Sequence, residues 1–188
     1  MLTLVQRALK ALHIVTDRLR TQGLRATLIW IYGRGLPKLT GVPLARFSQI
    51  TPQIFVGGQY RQRGKRKLEA LGITGVVNLR AEADDAARGL TLAEYCYLPT
   101  IDDTAPTLEH LAEGAAFVER VTRNGGKVYI HCAGGVGRAP TLAAAYFITQ
   151  GMTLDEALAL IRQTRPFIRI MPPQMAQLKR FEAQQRRE

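Results

Sequence analysis

The chain has 188 residues, of which 46% are hydrophobic, and it carries a formal net charge of +11 with two cysteines. A chain of this length and composition buries an ordinary hydrophobic core, which argues against wholesale disorder, and two cysteines are too few for a disulfide framework. No apolar run near the start approaches the roughly 20 residues that span a bilayer, so we expect a cytoplasmic protein, at most peripheral to a membrane.

Basic residues are concentrated in residues 1–46, which hold eight lysines and arginines and a single acid, Asp17. Apolar residues at steps of three and four predict an amphipathic helix over residues 2–22 that ends at Gly23. A second short helix over residues 24–32 is expected before a glycine- and proline-rich linker. This extension favours an anionic membrane surface as its partner, and the alternative is that its apolar stripe packs on the rest of the chain. The stripe consists of Leu2, Val5, Leu9, Leu12, Val15 and Leu19.

Strands and helices alternate through residues 47–188, which we interpret as one catalytic domain. Short apolar runs predict strands, and longer runs with helical periodicity predict helices. The alternation predicts an α/β fold with a central, mostly parallel sheet flanked by helices. Strands are expected over residues 54–56, 73–79, 95–98 and 127–131, and helices over residues 65–71, 108–123, 140–150, 154–164 and 173–184.

A glycine-rich loop joins the strand that ends at His131 to the helix that follows Arg138. Its backbone N–H groups and the helix N-terminus supply fixed partial positive charge, which stabilises a thiolate at Cys132 and binds phosphoryl oxygens. Arg138 offers a planar fork for two of those oxygens. The sequence therefore predicts nucleophilic catalysis by Cys132 on a phosphate ester. The residues expected to bind the phosphate are Ala133, Gly134, Gly135, Val136, Gly137 and Arg138.

Other interpretations of these residues are weaker. A lone cysteine is usually a small core hydrophobe, as we expect for Cys96, but at Cys132 a strand, three glycines, an arginine and a helix coincide. A nucleotide-binding loop is excluded, because no Lys-Ser or Lys-Thr pair follows the glycines. No cluster has metal-ligand spacing, so we expect neither a metal nor a cofactor. Few aromatic residues accompany the basic runs, which argues against nucleic acid as a partner.

The His-Cys-x5-Arg loop resembles the signature of the protein tyrosine phosphatase superfamily. The flanking segments, including the run from Leu71 to Leu79, are similar to its compact dual-specificity branch, especially the type that acts on phosphatidylglycerophosphate in mitochondria. The resemblance implies a phosphocysteine intermediate and a phosphorylated protein or phospholipid as substrate. It also implies an aspartic acid as general acid, with Asp103 favoured and Asp102 the alternative. His131 is expected in a supporting role, in which it orients the loop and tunes Cys132 by hydrogen bonding.

Two positions depart from the family pattern. Ala139 stands where the family usually has a serine or threonine that stabilises the departing thiolate, and the segment at Pro172, Pro173 and Gln174 lacks the family's usual polar residues. A phosphate-binding pseudophosphatase of weak activity, or a membrane-surface adaptor, is therefore the alternative to an active phosphomonoester hydrolase.

Overall fold

A computed structural model describes residues 4–187, except for the side chains of residues 4–12, 14 and 34. It contains an α/β domain preceded by a long helix. The helices are α1 (Leu4–Thr40), α2 (Gln62–Ala70), α3 (Leu108–Arg123), α4 (Arg138–Thr149), α5 (Leu154–Thr164) and α6 (Pro172–Gln185). The strands are β1 (Ile54–Gly57), β2 (Gly75–Arg80), β3 (Glu94–Thr100) and β4 (Val128–His131).

The four strands form one sheet in the order β1-β4-β2-β3, and every neighbouring pair is parallel. The predicted α/β fold with a mostly parallel sheet is confirmed. β4 lies between β1 and β2, and all of its residues are buried. Because ligands of parallel sheets bind outside the carboxyl ends of the strands, this topology places the residue after β4 in the middle of the functional edge.

The helix α4 is the buried centre of the helical layer. Every residue from Arg138 to Ile148 is buried, as expected for a helix that is apolar on all sides. α4 packs against α3, α5 and α6. The catalytic loop therefore connects the most buried strand to the most buried helix, and neither of its ends can move without disturbing the core.

The N-terminal helix differs from its prediction. The chain breaks at Gly23, which has a non-helical φ of 79°, as predicted, but the second helical segment continues through the expected linker to Thr40. A proline inside a helix removes one N–H donor, so Pro37, the single proline of this segment, leaves the carbonyl four residues before it without its helical hydrogen bond. The helix ends where Gly41 adopts a φ of 71° and donates to the carbonyl of Pro37 at 2.7 Å.

The helix α1 packs on the segment between α5 and α6. Arg18 is buried and donates to the carbonyl of Phe167 at 3.1 Å, and Gln22 donates to the carbonyl of Ile168 at 3.1 Å. An ion pair of 2.9 Å joins Arg169 to Asp17. These contacts bring the helix beside the carboxyl edge of the sheet. Among the described residues, no helix is long and apolar enough to cross a membrane.

Candidate active site

The predicted nucleophile lies at the carboxyl edge of the sheet. Cys132 directly follows β4 and is 3% exposed, and its sulfur accepts a hydrogen bond from the backbone N–H of Gly135 at 3.2 Å. The loop therefore curls back over the sulfur. Four residues of the predicted phosphate-binding loop line a cavity of about 310 Å³ together with Cys132: Ala133, Gly134, Val136 and Gly137.

Gly135 is the point where the loop passes closest to the sheet. Its φ is 63°, and a Cβ at this position would lie 2.3 Å from the carbonyl carbon of Gly57 at the end of β1. Only glycine meets both conditions, since other residues rarely adopt this φ and no side chain fits the space. This explains physically why the loop requires a glycine at this position.

A buried arginine outside the predicted set holds the loop from below. Arg165 donates from Nε and Nη2 to the carbonyl of Gly135, at 3.2 and 2.8 Å, and from Nη1 to the carbonyl of Phe47. Burial lowers the pKa of Arg165 to about 10, so its guanidinium remains protonated at neutral pH. Arg165 therefore fixes the Gly135 carbonyl and places a full positive charge beneath the loop.

Arg138 is 1% exposed and is held by a carboxylate that the sequence analysis missed. Its Nη1 and Nη2 donate to the two oxygens of Glu82 at 2.9 and 3.0 Å, and Nη1 also reaches the carbonyls of Leu79 and Thr100. This two-point pairing fixes the plane of the guanidinium. Its buried Nε has no hydrogen-bond partner in the described structure.

The two candidate acids lie on the loop that follows β3, and both line the same cavity as Cys132. Asp102 is largely exposed and pairs with Nη2 of Arg138 at 2.9 Å. Asp103 has a φ of 63°, and it is the only residue other than glycine with a positive φ in the described chain. Gln174 of α6 anchors this loop by donating to the carbonyl of Thr104 at 2.9 Å. The acid loop is thus tied to α6 on one side and to Arg138 on the other.

His131 makes a different contact from the one predicted. It was expected to hydrogen-bond Cys132, but the described residues show no such bond, and its Nε2 lies 2.8 Å from Oδ2 of Asp85. Both side chains are buried. The reason is topological, because the side chain before the cysteine points to the opposite face of β4, towards the segment that follows β2. Any support from His131 passes through the backbone of β4 and the Asp85 contact.

The remaining side chains near the predicted site are mostly apolar or already hydrogen-bonded to the backbone. Ala139 is buried and offers no hydroxyl, and the hydroxyl of Thr141 donates to the carbonyl of Gly137 at 2.9 Å. Cys96 is buried in the core as expected, and burial raises its pKa to about 11, so its thiol is neutral. Among residues 4–187, no group of three or more acidic, histidine or cysteine side chains is placed to hold a metal.

Several site residues lie far from the motif in sequence, and local patterns did not reveal them. They share a position under or beside the loop and come from four separate segments. A signal was present for some of them, since a buried strand followed by charged residues marks the carboxyl edge of a parallel sheet. The missed residues are Arg18, Glu82, Asp85, Arg165, Arg169 and Gln174.

A buried cysteine under a loop closed by a buried arginine, at the centre of a parallel sheet, defines a cysteine-based phosphatase. A family model, that of the dual specificity phosphatase catalytic domain, matches residues 54–184. The chain belongs to the dual specificity phosphatase family, within the protein tyrosine phosphatase superfamily. The resemblance inferred from the loop motif is thereby confirmed.

Relatives of known sequence or structure agree with this assignment. Human dual specificity protein phosphatase 1 is 32% identical over 138 residues, which cover 72% of this chain and 37% of that protein. The chain thus spans little more than a third of the curated relatives it matches. The crystal structure of PTPMT1 in complex with PI(5)P is 26% identical with a TM-score of 0.68, covering 74% of this chain and 96% of the other. That of Tk-PTP in the active form is 30% identical with a TM-score of 0.60, covering 72% and 95%.

The pairing of Glu82 with Arg138 leads to a prediction about catalysis. The hydrogen bond from Arg138 lowers the pKa of Glu82 to about 2, against an ordinary value of 4.5. Because this pKa is depressed, the pair contributes fully above pH 4.5 and is lost only as the pH falls towards 2. We expect Glu82→Gln to lower kcat/KM for p-nitrophenyl phosphate about tenfold or more, by a factor that stays constant between about pH 5 and pH 8. Glu113→Gln, at an exposed site on α3, is the matched control. Unchanged kinetics in Glu82→Gln would show that Arg138 does not depend on this carboxylate.

Proposed function

We propose that this chain hydrolyses phosphomonoesters through a covalent phosphocysteine formed on Cys132. The observation that carries the proposal is the hydrogen bond from the Gly135 N–H to the buried sulfur, because a loop in this shape aims its N–H groups at Cys132 and at the space above it. The same N–H groups stabilise the thiolate before reaction and the phosphoryl oxygens during it. Arg165 adds a fixed positive charge below.

In the first step the thiolate of Cys132 attacks phosphorus, so that a sulfur–phosphorus bond forms and the bond to the leaving oxygen breaks. Asp103 acts as the general acid and transfers a proton to the leaving oxygen. The N–H groups of residues 133–137 and the Nε of Arg138 hold the three remaining phosphoryl oxygens. In the second step Asp103, now a carboxylate, takes a proton from water, which attacks phosphorus and releases the thiolate as inorganic phosphate forms.

The choice of Asp103 over Asp102 follows from backbone geometry and from Arg138. A positive φ is costly for most residues and persists at functional sites where the surrounding structure requires it. Asp102 is bound to Nη2 of Arg138, the edge that a phosphoryl group takes when it binds. Substrate therefore displaces Asp102, whereas no ion pair holds Asp103 among the described side chains, which leaves it available to act as the acid.

A phosphate-binding pseudophosphatase is the second candidate, and Ala139 is the observation that favours it. No hydroxyl at this position assists the thiolate as it leaves the phosphoenzyme. In such a protein the first step proceeds and the second is slow. A burst of product followed by very slow turnover is the kinetic pattern that distinguishes it from an efficient enzyme.

The substrate is a phosphorylated molecule, and phosphoproteins and phospholipids are the two classes that the relatives support. Dual specificity protein phosphatases act on proteins, and PTPMT1 has been crystallised with PI(5)P. The catalytic cavity is open and polar at its rim, where Arg18 and Arg169 lie. Such a rim suits an anionic substrate of either class.

The proposed nucleophile is tested by Cys132→Ser. We expect turnover of p-nitrophenyl phosphate to fall to background, because a serine hydroxyl is not ionised near neutral pH, while the affinity for vanadate stays within about tenfold because the loop is preserved. Cys96→Ser is the matched control and should keep its rate, since that thiol lies on β3 outside the cavity. Substantial activity in Cys132→Ser would overturn the mechanism.

The proposed acid is tested by comparing Asp103→Asn with Asp102→Asn. Loss of general acid catalysis should cost about 10²–10⁴ in kcat for Asp103→Asn, most severely for poor leaving groups, and should remove the basic limb of the pH profile. Asp102→Asn should keep that limb and instead lower KM or leave it unchanged, because it frees Nη2 of Arg138. The opposite ranking would assign the acid to Asp102.

We also propose that residues 1–46 hold the enzyme at an anionic membrane surface. The supporting face differs from the predicted stripe: Leu2 lies outside the described residues, as do the side chains of Val5, Leu9 and Leu12, while Val15 is half-buried and Leu19 is 39% exposed. Beyond Gly23, six large apolar side chains of α1 are exposed at helical spacing, with bases at Arg20, Arg25 and Lys38 nearby. They are Leu24, Leu28, Ile31, Tyr32, Leu36 and Leu39.

Liposome co-sedimentation tests this attachment. The intact chain should bind vesicles that contain anionic lipid, more weakly as salt is added, because each base near such a surface contributes about 1 kcal/mol and is screened. Leu24→Gln combined with Leu28→Gln should weaken binding at least tenfold. Ile101→Gln, which removes an equally exposed apolar side chain from another part of the chain, should not. Equal binding by the intact chain, the double variant and Ile101→Gln would contradict the proposal, and so would binding to neutral vesicles alone.

A further inference from the structure

The catalytic cavity adjoins two further cavities on the side of α1. It shares Ala133 and Gly134 with a neighbouring cavity of about 190 Å³. That cavity shares Pro37, Lys38 and Gln59 with a third, of about 160 Å³. The shared lining residues place the three cavities side by side in a row, which extends from the catalytic loop along the end of α1 and residues 58–61, and we call this row the basic groove.

The far end of the basic groove is strongly cationic. It is lined by Lys38, Arg61, Arg80 and Arg88, and its lining includes no acidic residue. The charge of Arg80 is offset by Glu82 at 3.5 Å and Asp85 at 3.9 Å. In the described part of the chain, no carboxylate lies within 4.0 Å of the charged ends of the other three. Three unneutralised bases around one cavity repel each other and attract an anion.

The backbone that carries these bases is fixed by contacts between separate segments. The stem of Arg61 lies against Gly41, where an added Cβ would approach it to 2.8 Å, and its N–H donates to the Gly41 carbonyl at 3.0 Å. Arg88 precedes Gly89, whose carbonyl accepts from Gln62 and Lys65 at 3.3 Å each. Lys38 belongs to the last turn of α1. The cavity is therefore assembled from three elements before any ligand arrives, which reduces the ordering cost of binding.

We propose that the basic groove binds a second phosphate group of the substrate while its phosphomonoester lies over Cys132. This subsite rests on the proposed phosphatase function and narrows its substrate class to compact bisphosphorylated headgroups. The middle cavity accommodates a spacer the size of a sugar ring, and the far cavity accommodates one phosphate.

A matched pair of soluble substrates tests the subsite without a membrane. Inositol 1,4-bisphosphate and inositol 4-phosphate differ only in the second phosphate, and we expect kcat/KM to be about tenfold higher for the bisphosphate at low salt. The ratio should fall towards one in the triple variant Lys38→Gln, Arg61→Gln, Arg88→Gln, and also as salt is added. Lys179→Gln, on α6 outside all three cavities, should keep the wild-type ratio. A second arm uses a phosphotyrosine peptide with and without a neighbouring phosphoserine.

The outcomes separate the subsite from the proposed function. Turnover of p-nitrophenyl phosphate with equal kcat/KM for both inositol phosphates would overturn the subsite and leave the phosphatase standing. If kcat/KM rises with the second phosphate for the peptide pair but not for the inositol phosphates, the proposed class of substrate, compact bisphosphorylated headgroups, is wrong. If the wild type turns over none of these compounds, the proposed function fails. Calorimetry with Cys132→Ser then decides the subsite, which requires tighter binding of the bisphosphate, lost in the triple variant.

Discussion

The rest of the site depends on one junction, in which the short loop of residues 132–137 joins the buried strand β4 to the buried helix α4. The connecting loop curls back over Cys132, whose sulfur accepts a hydrogen bond from the Gly135 N–H, and the helix N-terminus that follows favours an anion. Two constraints keep the loop in this shape. Gly135 passes against Gly57 of β1 where no side chain fits, and Arg165 binds the Gly135 carbonyl from below. Both constraints come from the core, so the anion-binding shape is present before substrate arrives.

Arg138 is the other main element of the site, and its partners explain how a buried guanidinium is stabilised and is still able to bind a phosphoryl group. A guanidinium removed from water is stabilised when its donors are paired, and here Glu82 and two backbone carbonyls bind Nη1 and Nη2, while the buried Nε has no partner in the described structure. Asp102, largely exposed, takes the remaining edge. An exposed carboxylate is easily exchanged for a phosphoryl group of the same charge sign, whereas Glu82 remains to hold the plane. In the proposed mechanism the site exchanges one anion for another, while Nη1 and Nη2 of the arginine stay paired with Glu82.

Local patterns in the sequence predicted the fold and the centre of the site, because each depends on neighbouring residues. Hydrophobic period and glycine positions gave the parallel sheet and five of the six helices, with α3 correct at both ends. The motif gave Cys132, its loop and Arg138. Glu82 and Asp85 follow a buried strand, which marks the edge of the sheet but not the residues that they contact. Arg165 and Gln174 come from segments tens of residues away, so local patterns could not reveal them. The length of α1 was underestimated because glycine and proline suggested a linker, whereas residues 33–40 are helical and Gly33 lies against the rings of Phe167 and Phe47.

The N-terminal helix connects the site to its surroundings. One face buries Arg18 beside the catalytic cavity, its last turn supplies Lys38 to the basic groove, and its outer face is apolar and exposed. The roles proposed for this helix, in substrate binding and in membrane attachment, assume that Cys132 is the catalytic nucleophile. Rapid acid quenching during turnover, followed by mass spectrometry of the peptide that contains Cys132, measures that chemistry most directly. The account predicts a phosphate adduct on this cysteine that accumulates when Asp103 is replaced and a good leaving group is used. Steady turnover with no adduct on Cys132 in either protein would contradict it.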